Sequence, residues 1–450
     1  AGHIWAVKLA VVVQRYGADL NGGAELHARY IAERLAKQAD VEVLTTCARD
    51  YITWRNELPP GTDSVNGILV KRFKVSRERK PSDFGNISDH VFGSVHSIAD
   101  ELKWLRAEGP TSPELIDYLH QHQNQYDYVI FFSYRYYHTY HGIGAIPKKA
   151  ILVPTAERDP ALGLAIFKPT FRSVRAVMYN SHEEKFLIHK VSENQHVPGV
   201  VVGVGSEVPD TANRERFQSR TGITGSFLLY VGRIDENKGC AEMFDYFERY
   251  SSQVSNKLKL VLIGSPVMTI PKHPNIRHLG FVTEEEKYDA MSAATVLLMP
   301  SYFESLSMVT IEAWAMHLPV IVNGKCDVLR GQTIRANGGL YYESYSEFAE
   351  SLHALETDQD LRLKLARDGR RYYEHHYTWD VIEQKYMAML DKLQAADRKG
   401  YETIPENRPG WFERHKRICK PARDIVDKLP TGPVLDSVKK SRGKSLSNNP

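Results

Sequence analysis

Residues 295–322 read TVLLMPSYFESLSMVTIEAWAMHLPVIV. The run 295–299 is apolar and short enough for a buried strand. Pro300-Ser301 breaks it, Ser305 or Ser307 offers a helix cap, and Pro319 stops the helix that follows. Another apolar strand begins at once. Strand, turn, short helix and strand is the repeating unit of a parallel α/β sheet. It sets Glu304 at the strand-to-helix mouth and Glu312 on the helix about two turns in, at ~1.5 Å per residue. Two carboxylates so placed are open to acid and base work as well as to binding.

The same alternation extends upstream. SFLLYVGR (226–233), KLKLVLIG (257–264) and IRHLGFV (276–282) read as strands, with helices near 241–252 and 284–293. An earlier series has strands in AVKLAVVVQ (6–14), VEVLTT (41–46), GILVKRFKV (67–75), YDYVIFFS (126–133), KKAILVP (148–154) and RAVMYNS (175–181). GGAELHARYIAERLAKQ (22–38), HSIADELKWLRA (96–107) and SPELIDYLHQHQ (112–123) have helical periodicity. Residues 198–213 turn to Gly, Pro, Thr and Asp, which marks a link. GVGSE (203–207) within it lacks the third glycine of a dinucleotide fingerprint. The expected organisation is a Rossmann-like domain over 1–205, a second over 206–377, a crossover helix over 378–397 and a basic extension over 398–450. The last fifteen or so residues read as a disordered tail.

With 450 residues the chain exceeds one ordinary core. Its 25% charged residues and formal net charge of +3 give no nucleic-acid signal. Residues 398–450 hold thirteen Lys or Arg against six Asp or Glu, so +7 lies there and −4 in the remainder. Within that segment Arg414, Lys416, Arg417, Lys420, Arg423 and Lys428 alternate with Trp411, Phe412, Ile418, Ile425 and Val426. The pattern suits either an amphipathic helix on an anionic membrane or a solvated extension. Cys47, Cys240, Cys326 and Cys419 are scattered without metal or disulfide spacing, as in a reducing cytosol. The run 7–13 is too short to span a membrane and reads as a first strand.

YVGRIDENKG (230–239) forms a second constellation. Its strand ends at Gly232 and leaves Arg233 and Lys238 on a loop that opens a helix. Loops at the carboxyl ends of parallel strands face the ligand crevice. Guanidinium and ammonium beside a helix N-terminus suit a diphosphate, the one by forked hydrogen bonds and the other as a compact charge. Gly22-Gly23, between first strand and first helix, lets backbone N–H groups approach an anion.

Taken in order, GGAELHARYIAERL, NSHEEKFL, YVGRIDENKG, residues 280–322 and HHYTWDVIEQKY (375–386) resemble retaining glycosyltransferase family 4, over roughly residues 7 to 395. The resemblance implies an α/β fold of the GT-B type, two Rossmann-like domains facing a cleft with a C-terminal helix crossing back. It implies transfer of a sugar from a UDP- or GDP-linked donor to a glycan or lipid-linked acceptor in cell-surface polysaccharide or glycolipid synthesis, with anomeric configuration retained. Arg233 and Lys238 would stabilise the diphosphate leaving group, Glu304 would hold donor-sugar hydroxyls and Glu312 the ribose hydroxyls. Amides of Ser307, Met308 and Val309 would meet the phosphates, and the Gly22-Gly23 turn would close over them. Neither cofactor nor metal is expected, in keeping with the lack of a credible Asp-x-Asp site.

Family members often carry a histidine where this chain reads AILVPTAERDP (150–160), with Glu157, Arg158 and Asp159. Glu157 or Asp159 is a candidate contact to sugar or acceptor, or part of a salt-bridged loop. Tyr51 and Trp54, and Tyr134, Tyr136 and His138 in SYRYYHTYHG (133–142), are further acceptor-site candidates, with packing as the plain alternative. The expected setting is the cytoplasm, at the inner membrane face if the extension binds lipid. A non-catalytic sugar-nucleotide-binding partner, a GT-B nucleotide-sugar epimerase and a dehydrogenase remain as other readings.

Overall fold

The first apolar run, Lys8–Val12, pairs in parallel with Asp40–Thr46 on one side and Tyr128–Phe132 on the other. Around this centre the computed structural model, which describes residues 7–404 and 406–435, builds an eight-stranded sheet. Its order is Gly61–Val65, Ile68–Phe73, Asp40–Thr46, Lys8–Val12, Tyr128–Phe132, Ala150–Val153, Ala176–Tyr179, Gly199–Val201. All neighbours are parallel except the hairpin formed by the first two. The central strands are buried end to end, as sheets covered on both faces require.

A second sheet follows the order Ile276–Gly280, Lys259–Ile263, Phe227–Val231, Val296–Met299, Val320–Asn323, Gly339–Tyr342, parallel throughout. In chain order its strands run 3-2-1-4-5-6, so the direction of winding reverses between Phe227–Val231 and Val296–Met299. In such sheets ligands bind outside the carboxyl ends of the strands at this switch point. Three helices that the sequence reading left unassigned, Asp327–Ala336, Tyr345–Thr357 and Gln359–His376, pack around this sheet. Their Phe348, Leu352, Leu355 and Leu365 join its core.

The chain divides into two units. One contains residues 1–203 and 383–430, the other 204–382 and the segment from Thr431 onward. Helix Trp379–Arg398 therefore starts in the second unit and ends in the first. The link around 203–207 is pinned within the second unit: Ser206 N–H donates to the Tyr377 carbonyl at 3.0 Å and its carbonyl accepts from the Tyr373 hydroxyl at 2.6 Å.

Residues 398–430, expected as a separate extension, count with the first unit. Cys419, Ala422 and Val426 are buried in its core. Ile418–Cys419 pairs antiparallel with His96–Ser97. Arg158 donates to the carbonyls of Val426 and Leu429 at 3.3 and 3.1 Å and also to that of Pro430. The tail expected for the last fifteen residues lies outside the described residues. Among the described residues no helix is long and apolar enough to cross a membrane. All four cysteines are free and buried.

His27 and His138 lie wholly inside the first unit, and burial pulls them down from an ordinary value of 6.5 to about 3 and about 4. An imidazole kept neutral in the fold is protonated more readily once unfolded, so stability falls as pH drops from 6.5 towards the folded value. Denaturant unfolding of the wild type and His138→Gln should show their stability difference shifting against the wild type by up to about 3 kcal/mol between pH 6.5 and 4, at about 1.4 kcal/mol per unit. Parallel pH profiles would remove His138 as the cause.

Candidate functional site

At the switch point of the second sheet two loops leave neighbouring strands. The first follows Phe227–Val231, and its geometry is set by Gly232 at φ 150° and Gly239 at φ 76°. Gly239 caps helix Cys240–Gln253, and a Cβ there would lie 2.1 Å from the Pro300 carbonyl oxygen. Only glycine combines that close approach with the left-handed backbone. The second loop follows Val296–Met299, and Pro300 is fixed from below by the Asn323 side-chain amide, 3.1 Å from its carbonyl. The missing side chain of Gly239 thus brings the Arg233/Lys238 loop against the Glu304 loop.

The charges meet there. The Lys238 ammonium lies 3.5 Å from Glu304 Oε1, with the carboxylate mostly covered. Arg233 pairs with Asp235 at 2.9 Å and leaves most of its guanidinium exposed. Its carbonyl accepts from the Tyr230 hydroxyl at 2.6 Å. Asp235 also accepts from Asn237 N–H at 3.0 Å and caps the short helical turn Glu236–Lys238, fixing where Lys238 leaves the backbone.

Of the two candidate caps, Ser307 caps helix Met308–Ala315, its Oγ accepting from Thr310 N–H at 3.4 Å. Ser307 adopts φ 74°. A non-glycine residue in the left-handed region costs on the order of 1–3 kcal/mol, a strain that clusters at functional sites. The first amides of the helix, those of Met308 and Val309, have no acceptor within the helix itself. The helix ends at Ala315, ahead of Pro319, because His317 at φ 56° already turns the chain away.

Glu312 follows just beyond the first turn and is almost fully buried. Lys287, on helix Glu284–Ala293, sets its ammonium 2.8 Å from Glu312 Oε2 and 3.0 Å from Glu284. Burial pushes the Glu312 carboxyl above its ordinary value, and Lys287 opposes the push without cancelling it. For Lys287 burial acts downward, but Glu312, Tyr288 and Glu284 outweigh it and the net shift is upward. Lys287 escaped the sequence reading because TEEEKYDA looks like an ordinary solvated helix start.

The first unit has its own switch point, between Lys8–Val12 and Tyr128–Phe132. Gly22 caps helix Gly23–Leu35, and a Cβ on it would come within 2.3 Å of Glu25 Oε2. Glu25 is held by Arg15 at 2.7 Å, and Arg15 also donates to the Arg49 carbonyl at 2.7 Å. Gly22 therefore makes room for an ion pair, while Gly23 has open space. Arg15, at the end of an apolar run, carried no signal of this role.

Most acceptor candidates are spent on packing. Trp54, Tyr134, Tyr136 and His138 are buried. Trp54 Nε1 donates to the Glu108 carbonyl at 2.6 Å, and His138 Nε2 bonds the Phe132 carbonyl at 3.1 Å. For these four the packing alternative fits, because their faces are covered by neighbours. Tyr51 is exposed and stacks edge-on against Trp54. Asp159 caps the turn Pro160–Gly163 through Ala161 N–H at 2.9 Å and pairs with Arg135 at 3.0 Å, so it serves the loop. Glu157 lies half-buried beside it.

Glu304, Arg233, Lys238, Ser307, Met308, Val309 and Glu312 thus come from two loops and one helix at one sheet edge. The arrangement offers cations and amides to an anion and carboxylates to hydroxyl groups. Lys287→Met should cost about 3–5 kcal/mol, because it strands a buried carboxylate. Lys287→Met/Glu312→Gln should recover at least half of that in a denaturant double-mutant cycle. Additive losses would mean that the pair does not couple.

Residues 212–372 match the family described as glycosyl transferases group 1. The chain is 28% identical over 193 residues to the capsular polysaccharide biosynthesis glycosyltransferase CapM of Staphylococcus aureus, across 38% of this chain and about half (49%) of that protein. It is 22% identical over 436 residues to the D-inositol 3-phosphate glycosyltransferase of Corynebacterium urealyticum, across 90% and 96% of the two chains. Among solved structures, sucrose-phosphate synthase from Thermosynechococcus elongatus superposes with a TM-score of 0.63 at 16% identity, over 87% of this chain and all of that one. HepE of Anabaena, in complex with UDP and glucose, superposes with a TM-score of 0.62 at 15% identity, over 86% and 99%. Residues 212–372 thus carry the match to glycosyl transferases group 1, and the two parallel α/β units of the chain have the GT-B fold.

Proposed function

We propose that the protein is a retaining glycosyltransferase that moves a sugar from a UDP- or GDP-linked donor to a glycan or lipid-linked acceptor, in the synthesis of a cell-surface polysaccharide or glycolipid. The observation that carries this reading is the joining of Lys238 to Glu304 across the switch point, next to Arg233 and the first turn of helix Met308–Ala315. A nucleotide diphosphate sugar has an anionic middle and hydroxyl-bearing ends, and the site offers the complementary groups. Similarity to a glycosyltransferase named for capsular polysaccharide biosynthesis supports a glycan acceptor.

In this reading the bond between the anomeric carbon and the diphosphate oxygen breaks, and charge builds on the leaving phosphate. Arg233 and Lys238 exchange their protein acids for the phosphate, and with the amides of Ser307, Met308 and Val309 they stabilise that charge. They take the part a divalent cation plays elsewhere, and the reaction needs neither metal nor cofactor. The acceptor oxygen forms its bond to the anomeric carbon on the face the phosphate leaves, and its proton passes to the departing phosphate oxygen. Glu304 holds donor-sugar hydroxyls and Glu312, paired with Lys287, accepts from the ribose hydroxyls. Tyr51, exposed, and Glu157, half-buried, are the acceptor-side candidates that reach the surface.

Thermal-shift titration with UDP, GDP and their sugars tests the first half. A ligand at a hundred times its Kd stabilises by about 2.7 kcal/mol. Glu312→Ala should weaken every ribose-bearing ligand, and Glu304→Gln should lower turnover at least tenfold while leaving the free nucleotide bound. A shift by no nucleotide diphosphate, a product of inverted configuration, or a trapped covalent glycosyl-enzyme would sink the reading.

A further inference from the structure

The folded part of the C-terminal segment does more than fill the core of the first unit. It displays a group of large apolar side chains to solvent: Trp411 and Phe412 are each 69% exposed and Ile418 is 77% exposed. Helix Trp411–Lys416 packs on helix Ile98–Glu108, and Ile418 sits in the ribbon paired with Ser97, two residues from Val95, which is 60% exposed. The four side chains thus belong to one face around the ribbon. Contiguous exposed apolar surface with a polar rim marks an interaction site, and a protein gains nothing by showing two adjacent aromatic rings to water.

Around this face cations outnumber acids. Arg414, Lys416, Arg417, Lys420 and Arg423 are all exposed, and among the described residues none of the five enters an ion pair. The nearby acids are used in holding the segment down. Glu406 pairs with Arg172 at 2.8 Å, Glu402 with Lys148 at 3.8 Å, and Glu413 accepts from Gly410 N–H at 3.3 Å at the start of the short helix. Asp424 and Asp427 are the exposed acids left in the next turns.

Beneath the ribbon lies a second, independent feature. A cavity of about 240 Å³ is walled by Leu162, Leu164, Phe171, Val191 and Ile425, with Lys168, Arg417 and Lys420 also in its lining and the buried Glu101, held by His96 and Ile166 N–H, beside them. An apolar pocket with cations in its wall fits an amphiphile whose head is anionic.

We propose that this face of the first unit docks on an anionic lipid bilayer. Trp411, Phe412, Ile418 and Val95 enter the interfacial layer, the five cations meet the headgroups, and the cavity takes apolar atoms of one lipid. Aromatic rings favour that layer because it is apolar at one end and wet at the other. Each Lys or Arg near an anionic surface contributes about 1 kcal/mol, so the affinity should change on the order of fivefold per cation. This goes beyond the transfer reaction proposed above and does not depend on it.

The test is co-sedimentation of the full chain with phosphatidylcholine vesicles and with vesicles of phosphatidylcholine and phosphatidylglycerol in equal parts, at low and high salt. Binding should be restricted to the anionic vesicles and fall with salt. Trp411→Ser/Phe412→Ser and, separately, Lys416→Glu/Arg417→Glu/Lys420→Glu should each lower it at least tenfold. Both variants change exposed side chains and should keep the wild-type thermal response to nucleotide diphosphates, which separates loss of docking from loss of donor binding. Failure of the wild type to bind anionic vesicles, or unchanged binding by both variants, overturns the proposal. So does concentration-dependent dimerisation abolished by Trp411→Ser/Phe412→Ser, which would give the face to a second copy of the chain.

Discussion

The parallel pairing of Phe227–Val231 with Val296–Met299, in register at Leu228 with Val296 and Leu229 with Leu297, is the contact on which the site depends. These strands lie 69 residues apart in the chain and adjoin because the winding of the sheet reverses between them. Every group assigned to the donor follows from that adjacency: one strand delivers Arg233 and Lys238, the other Glu304 and the helix bearing Glu312. Gly239 then lets the two loops touch. A side chain there would meet the Pro300 carbonyl and push Lys238 away from Glu304.

Electrostatics divide the site into two kinds of charge. Arg233 and Lys238 are partly exposed and loosely held, so solvent screens them and they can exchange a protein acid for a ligand phosphate at small cost. Glu312 and Lys287 are shielded, and neither can leave the other without stranding a charge. The first pair suits groups that respond to a leaving group within one turnover. The second suits a fixed point, which in the proposed reaction would orient the ribose.

Much of this was legible in the sequence because the decisive residues are local. Glu304, Ser307 and Glu312 lie within one strand-turn-helix unit, and Arg233 and Lys238 within another, so short patterns carried them. The rest depended on pairings no short pattern contains. Lys287 meets Glu312 across 25 residues, from a helix whose first turn reads as solvated acids. Trp54 and Tyr136 stand in polar text and are buried by Val75 and Ala48 from other segments. Residues 398–430 read as a basic tail because charge dominates their composition. Cys419, Ala422 and Val426, three or four residues apart, were the quieter sign of a buried side.

Because the first unit is completed by residues 383–430, residues 204–382 of the second unit are inserted within it. Arg175 is 2% exposed; its guanidinium reaches Asp397 at 3.0 Å and the Leu393 carbonyl at 3.3 Å and lies over the Tyr401 ring. Tyr128 of the central strand sends its hydroxyl to the same Asp397 at 2.5 Å. On a growing chain these partners leave the ribosome only after the whole second sheet has been made. Arg175 therefore waits unanswered until residues 393–401 arrive, and the core of the first unit closes only after the second sheet has been made.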